Sequence, residues 1–169
     1  KEAGKDLNGD SAIGFKVDSG GPKAIQSDGW SIGTASVAST VPPKIYIVGK
    51  NLSKMGAVAG NLANDAALMG SDGTTYWKPD QDTEVVKTII KSGTALSIYT
   101  SSTNNNVNTF VEYQFTQDNA SKLWVQRGSA LTLKSDDIVN EENSAKRDIN
   151  GDGAVGIFIA NANSSFSKG

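Results

Sequence analysis

One ten-residue pattern occurs twice in this chain and constrains both ends of whatever fold lies between. Near the start it reads Lys5-Asp6-Leu7-Asn8-Gly9-Asp10-Ser11-Ala12-Ile13-Gly14, and near the end Arg147-Asp148-Ile149-Asn150-Gly151-Asp152-Gly153-Ala154-Val155-Gly156. Each copy runs into an apolar stretch, Phe15-Lys16-Val17 or Ile157-Phe158-Ile159. Alternating oxygen-bearing side chains ahead of a small residue suit a loop that wraps a hard cation. Side chains at positions 1, 3 and 5 converge, position 6 makes a sharp turn, and the carbonyl of position 7 turns inward. Those places fall on Asp6, Asn8, Asp10 and Ala12, then on Asp148, Asn150, Asp152 and Ala154. Asp, Asn and Gly also gather in turns for purely local reasons. Duplication, with a basic residue before and matching apolar positions after, favours Ca2+.

Neither loop is a complete EF-hand. A bidentate Glu would stand at position 12, where this chain has Val17 and Ile159. Dockerin modules, which the D-x-N-G-D-G core resembles, carry two loops close together with a helix after each. Here the first ligands, Asp6 and Asp148, are 148 − 6 = 142 residues apart, and β-favouring residues follow. Integrin-type loops add an acid at position 9, occupied here by Gly14 and Gly156. Further ligands are therefore sought in water, Asp18, or the upstream acids Glu2, Asp136, Asp137, Glu141 and Glu142.

A chain of 169 residues is long enough for one domain with a sizeable core. A net charge of −2 gives no electrostatic footprint for nucleic acid or an anionic membrane. Asp outnumbers Glu 13 to 5, and abundant Ser, Thr, Asn and Gly favour strands and turns over long helices. With no cysteine and no histidine, disulfides, thiolate chemistry and histidine-based catalysis are excluded. No apolar run approaches the roughly 20 residues of a membrane span. Lys1 is not an initiator methionine and no signal peptide is visible, so the chain reads as a processed product or an excised piece. Weak calcium loops fill at extracellular calcium concentrations, which points to a secreted or cell-surface protein.

Residues Asp136–Ala145 read as a short helix with Ser135 as N-cap and acids in its first turn. The calcium loop follows at once, giving a helix–loop–strand unit. If residues 1–5 end an equivalent helix, the chain spans about one period of a tandem array. Between the junctions, Lys44–Val48, Ala95–Tyr99, Phe110–Phe115 and Leu123–Arg127 read as strands, and Ala130–Leu133 continues the meander. Inward faces should include Ile45, Ile47, Ile98, Val111, Tyr113, Phe115, Leu123 and Val125. Val85–Ile90 suits a hairpin arm or a helix, and its β-branched residues favour strand. Leu52, Met55, Ala59, Leu62, Ala66 and Met69 recur at helical spacing, predicting a helix that ends at Gly70. Trp30, Trp77 and Trp124 lie 47 residues apart, but their flanks largely disagree, so each is expected to anchor the core or pack at a sheet edge.

Through its two junctions the chain resembles repeat units of large bacterial surface proteins, RTX-type adhesins and their tryptophan-rich relatives, which close each unit with a D-L-N-G-D-G-x-I-G segment. The resemblance rests on Asp6–Gly14 and Asp148–Gly156; the G-G-x-G-x-D array of RTX secretion signals is absent. It implies a β-rich module whose calcium rigidifies the connection to the next. The expected fold is mainly β, an antiparallel sandwich or roll with one or two short helices and calcium loops at both ends. Its expected parts are a junction over 1–18, a β-rich body over 19–135, a helix and second junction over 136–160, and a linker over 161–169. Neighbouring copies of the same protein are the expected partners, and no catalytic activity is expected. The alternative is a calcium-dependent carbohydrate- or peptide-binding module, with a surface glycan as partner and Trp30, Trp77, Trp124, Tyr46, Tyr76, Tyr99 and Tyr113 as a stacking platform. An enzyme ranks third: Glu84 and Glu112 are the mid-chain glutamates, and no motif marks them as a catalytic pair.

Overall fold

Alternating apolar and polar residues between turn-forming clusters produce strands here. The structure, a computed structural model, describes residues 16–17, 24–25, 29–36, 45–50, 52, 67–105 and 107–157. The first loop, with Asp6, Asn8, Asp10 and Ala12, lies outside the described residues, as does the expected linker over 161–169. In a first sheet, β3 (Trp30–Ser36) pairs antiparallel with β1 (Lys16–Val17), β2 (Ala24–Ile25) and β4 (Ile45–Lys50). Strand β1 begins two residues after Gly14 in the sequence.

The second sheet runs β5 (Leu68–Met69), β9 (Trp124–Gln126), β8 (Val107–Gln117), β7 (Ala95–Asn104), β6 (Val85–Ser92). Strand β10 (Leu131–Leu133) also pairs with β8, and one helix, α1 (Ser135–Ala145), follows it. All its pairings are antiparallel except β5 with β9. The Val85–Ile90 segment is strand, and it returns through a tight turn in which Gly93 has φ +58°. The architecture is thus mainly β, with antiparallel and parallel pairing and, among the described residues, no closed barrel.

Two expectations about connectivity are corrected. The segment expected to end a helix at Gly70 is extended: Ala67 bridges Ile47 of β4, and Leu68 and Met69 pair with Trp124 and Val125. Leu52 is helical and buried, while residues 53–66 lie outside the described residues. Strand β10 does not extend the meander as a new outer strand. It returns to β8 beyond β9, so Leu131 faces Glu112 while Gln126 faces Phe115. Residues 127–130 bulge between these pairings, and Gly128 supplies a left-handed turn at φ +66°.

Strand periodicity sorts the side chains onto opposite faces. Ile32 and Val48 from the first sheet pack with Leu68, Ile89, Leu96, Ile98, Tyr113, Phe115 and Trp124 from the second, and with Trp77 from the segment between β5 and β6. Trp77 meets Tyr113 and Phe115 edge to face, with centroids 5.0 and 5.3 Å apart, and Tyr46 packs on it at 5.0 Å. Lys91 Nζ lies 4.3 Å from the ring centroid of Trp30. The opposite faces make a second cluster of Ala35, Ile45, Ile47, Leu52, Ala67 and Met69. Of the expected inward residues, Ile45, Ile47, Ile98, Tyr113 and Phe115 are buried, and Val111, Leu123 and Val125 are partly buried. At one end of the second sheet, Tyr99 packs with Ile138 of α1 and with Ile149, supported by Ile90, Phe110 and Leu133. This third cluster seats the helix and the second loop.

Candidate metal loop at the helix end

Helix α1 starts one residue earlier than expected. Its N-cap is Lys134, in extended conformation, and Asp137 Oδ2 accepts the Lys134 amide at 3.0 Å. The acid at the third helical position reaching back satisfies a terminal N–H, so Ser135 lies inside the helix rather than capping it. Asp137 is thereby engaged in capping. At the other end Lys146 takes the left-handed conformation, φ 53° and ψ 44°, and its amide bonds to the carbonyl of Glu142. The Arg147 amide bonds to the same carbonyl at 3.2 Å. A left-handed residue here lets the chain leave the helix axis while satisfying its last carbonyls.

The loop then folds on its own side chains. Asp148 Oδ1 accepts the Gly151 amide at 2.6 Å, and Oδ2 accepts the Gly153 amide at 2.9 Å. Asn150 Oδ1 accepts the Asp152 amide at 2.8 Å, and Asp152 Oδ1 accepts the Ala154 amide at 2.8 Å. Asn150 Nδ2 donates to Asp152 Oδ2 at 3.1 Å, so positions 3 and 5 of the loop are in contact. Gly151 and Gly153 have φ of +80° and +89°, which glycine alone reaches without strain. The position-6 turn therefore has the backbone that the sequence reading assigns to it.

The donor set fits a hard divalent cation in chemistry: two carboxylates, one amide oxygen and a backbone carbonyl, all oxygen. Carboxylate oxygens that accept one N–H retain acceptor capacity. Among the described residues no three acidic side chains gather at one point. Asp148, Asn150, Asp152 and Ala154 would supply at most part of the six to eight oxygens calcium takes.

Glu142, considered above as a further ligand, is placed otherwise. Its side chain is fully buried. Oε1 accepts the amides of Ile149 and Asn150 at 3.0 and 3.1 Å, and Oε2 accepts that of Gly156 at 2.9 Å. One carboxylate on the helix thereby joins both ends of the loop. Gly156 has φ +89°, and a Cβ there would stand 2.9 Å from Asn143 Oδ1. The left-handed φ favours glycine at loop position 9, where the chain passes the exposed, movable side chain of Asn143. Sequence reading missed this pairing, although its signal was present: glycine occupies that position in both copies.

The helix end also extends the correspondence between the copies. Ala145 and left-handed Lys146 align with Ala3 and Gly4, and glycine is the residue that enters that conformation most easily.

The mid-chain glutamates are engaged elsewhere. Glu84 is buried and accepts from the Thr100 hydroxyl, from Tyr113 Oη at 3.0 Å and from the Gln81 amide at 3.1 Å. Glu112, also buried, accepts from Ser97 Oγ at 2.7 Å. Tyr113 and Glu112 are neighbours on one strand, so these two networks lie on opposite faces of the sheet. Burial, followed by neighbouring acids, pushes the Tyr99 phenol above its usual range. Burial and the contact with Glu84 do the same to Tyr113, against the Asp80 amide that its oxygen accepts at 2.8 Å. Trp77, Trp124, Tyr99 and Tyr113 are buried and Trp30 is partly buried, so these rings do not form an exposed platform. Compared with protein families, curated proteins and solved structures, the chain matches none.

Proposed function

We propose that this chain is a calcium-stabilised structural repeat of an extracellular bacterial adhesin, surface layer or filament, assembling with neighbouring copies rather than catalysing a reaction. In this reading its body is a roll of two packed sheets. Contacts between β4 and the start of β5 on one side, and between β2 and β6 on the other, support that shape.

The observation that carries the reading is the Asp148–Gly156 loop. It sits at the exit of a helix docked on the sheet, with its position-6 glycine at φ +89°, and its sequence recurs at Asp6–Gly14. Local Asx bonds account for the loop's shape alone. They do not account for the recurrence of the ten-residue pattern at two places in the sequence separated by a β-rich body. A cation at such a junction would tie a helix end to the following segment and remove hinge freedom between neighbours. Binding to the folded state stabilises it by RT ln(1 + [Ca]/Kd), roughly 2.7 kcal/mol at a hundredfold excess over Kd.

Thermal melts of the full chain test this. Chelator should lower the melting temperature and added calcium, but not sodium, should restore it. For a chain of this size 2.7 kcal/mol corresponds to roughly 5–11 °C. A melt indifferent to chelator at neutral pH would remove the basis for the proposal. Chains lacking residues 1–14 or 148–169 should lose self-association while keeping a folded β body.

A further inference from the structure

We infer that Glu142 is a positioning residue: a buried carboxylate latch that pre-forms the metal loop by holding the amides of Ile149, Asn150 and Gly156. The inference rests on the calcium reading of the loop, but its geometry is independent of any bound ion. The carboxylate is fully buried and beyond reach of solvent. A buried carboxylate requires several donors to compensate for lost hydration. Glu142 finds three, all backbone N–H groups of the loop segment, at 2.9–3.1 Å. One lies between Asp148 and Asn150, one is the amide of Asn150 itself, and the third closes the far end. The backbone carbonyl of the same residue receives the amides of Lys146 and Arg147. Glu142 therefore fixes both the angle at which the chain leaves α1 and the span of the loop that follows.

This arrangement gives Glu142 a role distinct from ligation. Its oxygens face the amides between and beyond the ligands, and it acts on the cation through the backbone carrying Asp148, Asn150 and Asp152. Residues that orient metal ligands typically change affinity by about 10- to 100-fold when removed. The latch also links the loop to the sheet, because Ile149, whose amide it holds, packs with Ile138 and Tyr99.

The test uses the full chain with calcium alone as the probe. Calorimetric titration is paired with amide exchange followed residue by residue in metal-free protein. Glu142→Gln keeps a carbonyl oxygen for Ile149 and Asn150 but offers an N–H group to the Gly156 amide. Its exchange should therefore accelerate at Gly156 and stay slow at Ile149, with second-loop affinity lowered about tenfold and the first loop unchanged. Glu142→Ala should expose all three amides and lower affinity by up to about 100-fold. Gly156→Ala, which places an L-residue at φ +89°, should reproduce the loss at Gly156 from the other side.

The latch is refuted if these amides exchange freely in the metal-free parent, or if both Glu142 variants bind calcium at the second loop as tightly as the parent. If Glu142→Ala fails to fold, the Gln and Gly156 variants decide. Slow exchange at the three amides, lost as described, in a parent that binds no calcium would reject the calcium reading and keep the latch.

Discussion

Replacing Gly153 with serine isolates the turn on which the proposed metal loop depends. Gly153 stands at φ +89°, and a Cβ added there would meet no atom within 4 Å. The substitution therefore carries no steric cost from neighbours, and its whole effect comes from the backbone. An L-residue held at positive φ costs about 1–2 kcal/mol relative to glycine. If that cost falls on calcium binding, affinity drops roughly five- to thirtyfold. The first loop supplies the reverse experiment, since it already has serine, Ser11, at this position. Both loops offer two carboxylates and one amide at positions 1, 3 and 5, so charge does not offset the difference. Calorimetric titration of the parent should resolve a tighter second site and a weaker first one. Ser11→Gly should narrow the gap and Gly153→Ser should close it from the other side. Equal affinities in the parent, or no gain from Ser11→Gly, would refute the reasoning and assign affinity to outer ligands instead.

Three further outcomes follow from the packing. Ile149→Ala removes a side chain 1% exposed from the cluster with Tyr99 and Ile138, and should cost about 2–5 kcal/mol in urea unfolding; a loss under 0.5 kcal/mol would show that the loop is not anchored on the sheet. Tyr113→Phe deletes a hydroxyl that donates to buried Glu84 and accepts from the Asp80 amide, and should cost about 1–3 kcal/mol; unchanged stability would show that this network contributes nothing. Burial, ahead of the nearby acids, raises Tyr99 and Tyr113 above their ordinary value of 10.0, so the folded state keeps protons that the unfolded chain releases. Their contribution is full below pH 10 and is lost as pH rises beyond it. Ultraviolet titration should show both phenols ionising only as the fold is lost, and ionisation of both near pH 10 in folded protein would contradict this.

The long strands were legible in the sequence because β-branched and aromatic residues alternate there between clear turn signals. Val85–Ser92, Ala95–Asn104 and Val107–Gln117 form a continuous antiparallel run, and the ambiguous first segment resolved by its β-branched content. The segment around Leu68 was illegible for a physical reason. Ala67 and Met69 face one cluster and Leu68 the other, so an apolar run buried on both sides lacks the alternation that marks a strand. Its spacing with Leu52 then imitates a helix. Strand β10 was misplaced because the bulge at 127–130 returns the chain to β8, and no local residue states which neighbour it will meet.

In the second loop, the sharp turn at Gly153 was readable from the pattern; the left-handed backbone at Gly151 was not. The role of Glu142 was not. An acid six residues before a cluster of acids reads as another ligand until the helix is seen to turn it toward amides. The helix itself was placed to within one residue at its start.

Direct calcium binding tests the central claim most plainly. Titrated by calorimetry after exhaustive chelation, the full chain should bind two calcium ions. A variant carrying Asp148→Asn and Asp152→Asn should bind one, with the affinity of the first loop intact. Absence of binding at millimolar calcium, or identical binding by the parent and that variant, would contradict the account.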